Sequence, residues 1–273
     1  MKKIIVCTDY SACSANAMRY AIQLTRGSRV HLEFLHVVRS FKNVMESIRK
    51  LPGEFEKMEE EEVGKLSKYV EGQYRKLGIS PGKHACKVRF GSEFEPLLYE
   101  VIAEDRIDLV VVGTHGVSGF RERIFGTHAA GVIAASPVPV LAIPAGARYT
   151  EIKELTCFTD LAQADKELKQ VRPVARALRA TLSLIHFDYG WACGAAEVKV
   201  MKRLSSGPHH FKNIHASIDT PLLTLIKKYH RRRDSLICLF HDRKNAFERF
   251  LTGSVSEEAS VKLHSPLLSF QRD

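Results

Sequence analysis

Residues 113–127 read GTHGVSGFRERIFGT and carry the densest concentration of candidate binding groups in the chain. Gly113, Gly116, Gly119 and Gly126 follow an apolar, strand-like run, and Thr127 stands where an apolar-periodic helix begins, a position suited to an N-cap. Glycines let backbone N–H groups approach a ligand closely, and a helix start adds unpaired N–H groups and partial positive charge. Together these make a cradle for phosphate oxygens. Neither standard phosphate loop is present: no Gly-Lys-Ser/Thr follows, and Gly113 to Gly119 is G-x-x-G-x-x-G rather than G-x-G-x-x-G. Plain turn glycines in a long loop are the alternative.

The elements that must hold this loop follow from the apolar pattern. Ile4–Cys7, Val30–Val38, His84–Phe90, Asp108–Val112 and Val138–Ile143 read as buried strands, and Asn16–Arg26, Phe55–Leu77, Glu93–Glu104 and Thr127–Ser136 as helices. Near-continuous apolar strands alternating with helices predict a parallel sheet covered on both faces. Ligands of such sheets bind beyond the carboxyl ends of the strands, where the strand order reverses. The loops after Val6, Val37 and Val112 are therefore the informative ones.

A fainter second copy follows. Leu155–Asp160 echoes Ile4–Asp9, Leu182–Phe187 echoes Leu32–Val37, Pro221-Leu-Leu echoes Pro96-Leu-Leu, Gly253-Ser254 echoes Gly126-Thr127, and Pro266-Leu-Leu echoes Pro139-Val-Leu, all in the same order. The offset falls from 150 to 125 between the second and third of these landmarks, so the second copy lacks about 25 residues there and its counterpart of the long helix is short or absent. The window matching 113–127 reads FHDRKNAFERFLTGS, with Phe240 and Arg243 in place of Gly113 and Gly116. A side chain at those positions blocks both the backbone conformation and the close contact. Two domains are expected, 1–147 and 148–273, with one large α/β domain as the alternative.

These residues resemble the universal stress protein family. Its nucleotide-binding members carry G-x2-G-x9-G-(S/T) after the fourth strand, and Gly113, Gly116, Gly126 and Thr127 fill every fixed position. Asp9 in the first strand–helix turn and His36-Val37 at the end of the second strand match as well. The resemblance covers residues 1–145 well and 152–270 poorly. It implies two Rossmann-like α/β domains of the adenine-nucleotide-hydrolase type, each with five parallel strands in the order 3-2-1-4-5, the second shortened. It further implies ATP, or else ADP or AMP, with Mg2+ bridging the phosphates. Carried over by position, Thr8 and Asp9 serve the adenosine end and the backbone of Val37 faces adenine. Gly113, His115 and Gly116 line the ribose and first phosphates, while Gly126, Thr127 and the His128 amide hold the outer phosphates. Pairing through the last strand is also implied, which would join Val138–Ile143 to Pro266–Phe270 as an intrachain pseudo-dimer, with a further homodimer open.

Composition fits this reading. The 273 residues are 45% hydrophobic and 26% charged, with a net charge of +10, which excludes disordered, collagen-like and mucin-like classes. No run of roughly 18 to 20 apolar residues is present, and Cys7, Thr8 and Asp9 interrupt the N-terminal apolar stretch, so a cytoplasmic protein is expected. The six cysteines lack C-x-x-C spacing and read as small buried thiols. His36 and His186 read as core residues. The basic run Lys227–Arg233 reads as a solvated helix end, ahead of a docking patch for an acidic partner or a nucleic-acid contact. No catalytic base or metal-ligand set can be named, so the expectation is an adenine-nucleotide-binding stress-response protein with at most slow ATP hydrolysis. The alternatives are a nucleotide-independent module docking a partner through the second domain, and a weak ATPase.

Overall fold

The computed structural model describes residues 1–39, 53–114, 127–190, 194–220, 222–229, 232, 234–241 and 265–272. They form two compact units, Met1–Tyr149 and Thr150–Asp273. In the first, β1 (Lys3–Thr8), α1 (Ala12–Leu24), β2 (His31–Arg39), α2 (Glu54–Lys76), β3 (His84–Gly91), α3 (Phe94–Asp105), β4 (Leu109–Gly113), α4 (Thr127–Ala135) and β5 (Val140–Ile143) alternate strictly. The strands are parallel and ordered β3-β2-β1-β4-β5. Stepping from β1 to β2 to β3 sends right-handed crossovers to one face, where α1 packs beside α2, and the return through β4 to β5 puts α3 beside α4 on the other. Strands buried on both faces need apolar residues throughout, and Ile4, Ile5, Val6, Val110, Val111, Ala142 and Ile143 are all fully buried.

The second unit contains β6 (Glu154–Thr159), α5 (Ala164–Leu178), β7 (Thr181–Asp188), α6 (Ala195–Ser205), β8 (His210–His215), α7 (Leu222–Tyr229), β9 (Ser235–His241) and β10 (Leu267–Gln271). Its order, β8-β7-β6-β9-β10, repeats that of the first unit. The shortening falls where the repeat offsets place it: α6 has 11 residues and its counterpart α2 has 23. Among the described residues no helix is long and apolar enough to cross a membrane.

Most elements lie within two residues of their expected ends, but α1 starts at Ala12, four residues before the expected Asn16. The reason is local. Ser11 takes an extended conformation (φ −66°, ψ 161°) and its Oγ accepts the Ser14 N–H at 3.2 Å, which caps the helix ahead of its first long apolar residue. A second feature invisible to periodicity is Glu33, only 2% exposed in mid-strand. Lys3 Nζ lies 3.2 Å from its carboxylate and Lys87 Nζ 3.9 Å, and Lys87 also bonds Asp105 at the end of α3. A buried carboxylate is tolerable only with such partners, so this network ties β1, β2 and β3 to α3.

The start of β1 is held from the same end of α3 and β4. Asp108 accepts the Lys3 backbone N–H at 3.0 Å and that of Lys2. Partial burial pushes its carboxyl up, but these two donors and the positive N-terminus outweigh that and hold it below the ordinary carboxylate range. A depressed pKa contributes stability that is present above the unfolded value, about 4, and lost as pH falls through the folded value. Asp108→Asn is therefore expected to lower the unfolding free energy at pH 7 by less than about 1 kcal/mol, since the group is largely exposed, and to flatten the loss of stability below about pH 4. Urea titrations at several pH values measure both.

Candidate functional site

At the end of β1 the chain reverses into α1 through a turn built by two side chains. Thr8 Oγ1 accepts the Tyr10 N–H at 3.1 Å, and Asp9 Oδ1 accepts the Ser11 N–H at 3.0 Å. Together they hold Tyr10 at φ 62°, a left-handed conformation that costs a residue with a Cβ roughly 1–2 kcal/mol. His36 Nδ1 donates to the Thr8 carbonyl at 2.9 Å, fixing the same turn from β2. The Tyr10 ring packs on His36 (centroids 4.5 Å apart) and edge-on to Tyr69 of α2 (4.9 Å). Burial, helped by the Glu62 carboxylate, pushes its phenol up to about 12.

This turn sits where the strand order reverses. The ladder between β1 and β2 ends at Thr8 opposite His36, while that between β2 and β3 runs on to Arg39 opposite Gly91. Residues 37–39 thus have a strand partner on their β3 side and none from β1. The backbone of Val37 therefore lies along an open strand edge beside the Asp9 turn, a geometry that can hydrogen-bond a planar heterocycle. On the other side of β1, β4 ends in Gly113 and Thr114, whose N–H donates to Ile143 at 3.1 Å.

Gly113 has a packing reason that the sequence did not disclose. A Cβ on it would lie 3.0 Å from the Cys13 carbonyl carbon, the Cys13 Sγ and the Ser14 N. The end of β4 and the first turn of α1 are thus in backbone contact, which only glycine permits without a shift.

Thr8, Asp9, Val37 and Gly113 are therefore brought together at the carboxyl ends of β2, β1 and β4. Thr127 opens α4 and His128 stands in its first turn. The His128 imidazole is directed onto α3: its Nδ1 donates to Glu95 Oε1 at 3.1 Å and its ring meets Phe94 edge-on. Gly131 makes room for that carboxylate, since a Cβ there would lie 2.8 Å from Glu95 Oε1. His115, Gly116 and Gly126 lie outside the described residues. Among the described residues no group of three His, Cys, Asp or Glu is placed to hold a metal ion.

The second unit repeats the turn and differs around it. Thr159 Oγ1 accepts the Leu161 N–H at 3.1 Å, Asp160 Oδ1 accepts the Ala162 N–H at 3.0 Å, Leu161 has φ 71°, and His186 Nδ1 donates to Thr159 O at 3.0 Å. Beyond the turn the two units diverge. Phe240 replaces Gly113 and its ring stacks on Phe270 of β10, centroids 5.2 Å apart. Asp160, the counterpart of Asp9, is 2.8 Å from the Arg272 guanidinium, which also bonds Glu167 at 2.7 Å. Glu167 is 1% exposed; burial pushes its carboxyl up, against the lowering pull of Thr159, whose Oγ1 donates at 2.6 Å, and of Arg272. The repeat offset places Glu167 where the first unit has Asn16, which instead bonds the Pro144 and Ala147 carbonyls at 3.0 and 2.9 Å.

The model of the Universal stress protein family matches residues 1–144. The chain belongs to the universal stress protein family. No curated protein matches it. A crystal structure of a universal stress protein from Archaeoglobus fulgidus DSM 4304 is 17% identical, with a TM-score of 0.67 over 99% of this chain and 98% of its own. A functionally unknown protein from Pseudomonas aeruginosa PAO1 is 11% identical, with a TM-score of 0.61 over 100% of this chain and 93% of its own. At these identities the likeness is one of fold, and it extends over both units of this universal stress protein. A universal stress protein solved in complex with cAMP aligns over 53% of this chain and 97% of its own at 21% identity and a TM-score of 0.34, and its ligand is a property of that protein.

Two substitutions check the two crevices. Gly113→Ala is expected to destabilise the first unit by about 1–3 kcal/mol through overpacking, read by thermal unfolding without any ligand. Arg272→Ala leaves the buried Glu167 carboxylate without its cation and is expected to cost the second unit about 3–5 kcal/mol. Hydrogen exchange in α5 and β10 reports that loss, and Glu167→Gln added to Arg272→Ala should restore much of the protection.

Proposed function

We propose that this universal stress protein is an adenine-nucleotide-binding stress-response regulator, with nucleotide held in the first unit only. The observation that carries the reading is the open edge of β2 at Val37, beside the Asp9 turn and one strand away from Gly113. It gives a backbone-lined slot for a base at one end and, across β1, the start of the glycine motif for phosphates at the other. Thr8 and Asp9 stand at the adenosine end. Gly113, His115 and Gly116 serve the ribose and inner phosphates, and Gly126, Thr127 and the His128 amide the outer ones. With the His128 imidazole engaged by Glu95, the backbone amide is the group that position offers a phosphate.

ATP is the proposed ligand. Mg2+ would travel with it, held by phosphate oxygens, because the described residues supply no carboxylate cluster for a dedicated site. The second unit supports the assignment by contrast: its Asp160 is paired to Arg272, and Phe240 stands at its strand end. The function is binding and response, with the state of the 114–126 loop coupled to nucleotide and read by a partner to the extent that the partner prefers one state.

Equilibrium titration with ATP, ADP and AMP, with and without Mg2+, tests the reading. One nucleotide per chain, with binding lost in Gly116→Arg and kept in Arg243→Ala, is the expected result. No binding by the wild-type chain, or two nucleotides per chain, would overturn it.

A further inference from the structure

Away from the nucleotide slot, the flank of α1 in the first unit bounds a cavity of about 340 Å3. Asn16, Arg19, Tyr20 and Gln23 line it from α1, and Arg148 and Tyr149 from the segment that follows β5. Its shape is set by hydrogen bonds already in place. Asn16 clamps that segment through the Pro144 and Ala147 carbonyls, and the Tyr149 ring meets Tyr20 edge-on at 5.2 Å. Gln23 Nε2 donates back to the Arg19 carbonyl at 3.1 Å.

The charge of the lining is one-sided. Two arginines line the cavity and no acidic residue does. Arg19 NH1 donates to the neutral Gln73 amide oxygen at 2.8 Å, which orients the fork without neutralising it. Among the described residues neither arginine has a carboxylate within ion-pair distance. Elsewhere in the same unit Lys3, Lys65, Lys87 and Arg89 each have an acidic partner. Two arginines with no acidic partner among the described residues give this small polar cavity a positive field that favours an anion. Burial also pushes the Tyr20 phenol up, so its O–H stays a donor at neutral pH. Guanidinium forks, amides and phenols are the donor set that planar and tetrahedral oxyanions take, and the volume lies at the small-ligand end of the range for binding sites.

We propose that this cavity is a second binding site, for the phosphate-type oxyanion group of a small molecule, separate from the nucleotide slot. Arg148 closes on the anion from the exposed side and Arg19 holds it from α1.

The test uses the full chain and inorganic phosphate at low ionic strength, following the backbone amide NMR shifts of Ala147, Arg148 and Tyr149. Saturable shifts are expected. Arg148→Ala, at an exposed position where folding is not at stake, should weaken the binding at least tenfold, about 1.4 kcal/mol. Arg148→Lys should recover part of it, keeping the charge but losing the fork. Gly116→Arg should leave these shifts unchanged, which separates this site from the nucleotide reading. Non-saturating shifts, saturation indifferent to Arg148→Ala, or loss in Gly116→Arg would each overturn the proposal.

Discussion

Each unit has to carry its chain out of the first strand and into the first helix in three or four residues, next to the point where the sheet reverses direction. The turn that achieves this is left-handed at Tyr10 and Leu161, and it is held by forward-reaching oxygens of a threonine and an aspartate. Two side-chain hydrogen bonds of about 1 kcal/mol each are enough to offset the strain of one non-glycine residue in that region. The rest of the crevice depends on this placement. It presents the Asp9 carboxylate at the strand end and brings the first turn of α1 so close to β4 that Gly113 has no room for a Cβ. That glycine is thus fixed by packing before any ligand is considered, and its openness toward a ligand is a by-product of the same contact.

The two units then show two ways of finishing one scaffold. Once a strand end carries Phe240 instead of glycine, its ring needs apolar company, and the adjacent residue of β10 supplies it in Phe270. Arg272 meets the aspartate beside it and reaches on to Glu167. Exchanging Asn16 for Glu167 follows the same logic. Both positions tie the first helix to the segment leaving the fifth strand, one through neutral carbonyl contacts and the other through a buried ion pair. A buried pair contributes little net stability over an apolar substitute, but it tolerates no loss of one member. It therefore fixes the geometry more than it strengthens the fold.

The sheet was legible in the sequence because parallel strands buried on both faces leave an apolar signature that needs no tertiary information, as in Ile4–Cys7 and Asp108–Val112. The repeat was legible for the same reason, and it located the shortening that reduces α2 to α6. What escaped notice depends on partners far along the chain. Glu33 looks like a lapse in an apolar strand until Lys3 and Lys87 are seen beside it. Arg272 is 105 residues from Glu167, and no local pattern links them. The early start of α1 leaves no periodic signal, because an apolar period begins only where long side chains begin, whereas Ser11, Cys13 and Ser14 form a first turn from small, partly polar residues. At the candidate site, the resemblance names Thr8, Asp9, Val37 and Gly113, but the open edge at Val37 depends on where the β1 ladder stops, a property of register.

On the nucleotide reading, the contrast between the crevices is also thermodynamic. A ligand that binds only the folded first unit stabilises it by RT ln(1 + [L]/Kd), so the order of that crevice rises and falls with nucleotide concentration. In the second unit Asp160 is paired with Arg272 of the same chain, a contact that does not depend on nucleotide concentration. One half can then report on the cell and the other cannot. A chain with two responsive halves would give a partner four states to distinguish. With nucleotide held in the first unit only there are two, and the coupling to a partner is bounded by its preference between them. The second copy keeps the fold, the left-handed turn and the histidine that braces it, because these hold the sheet together with or without a ligand.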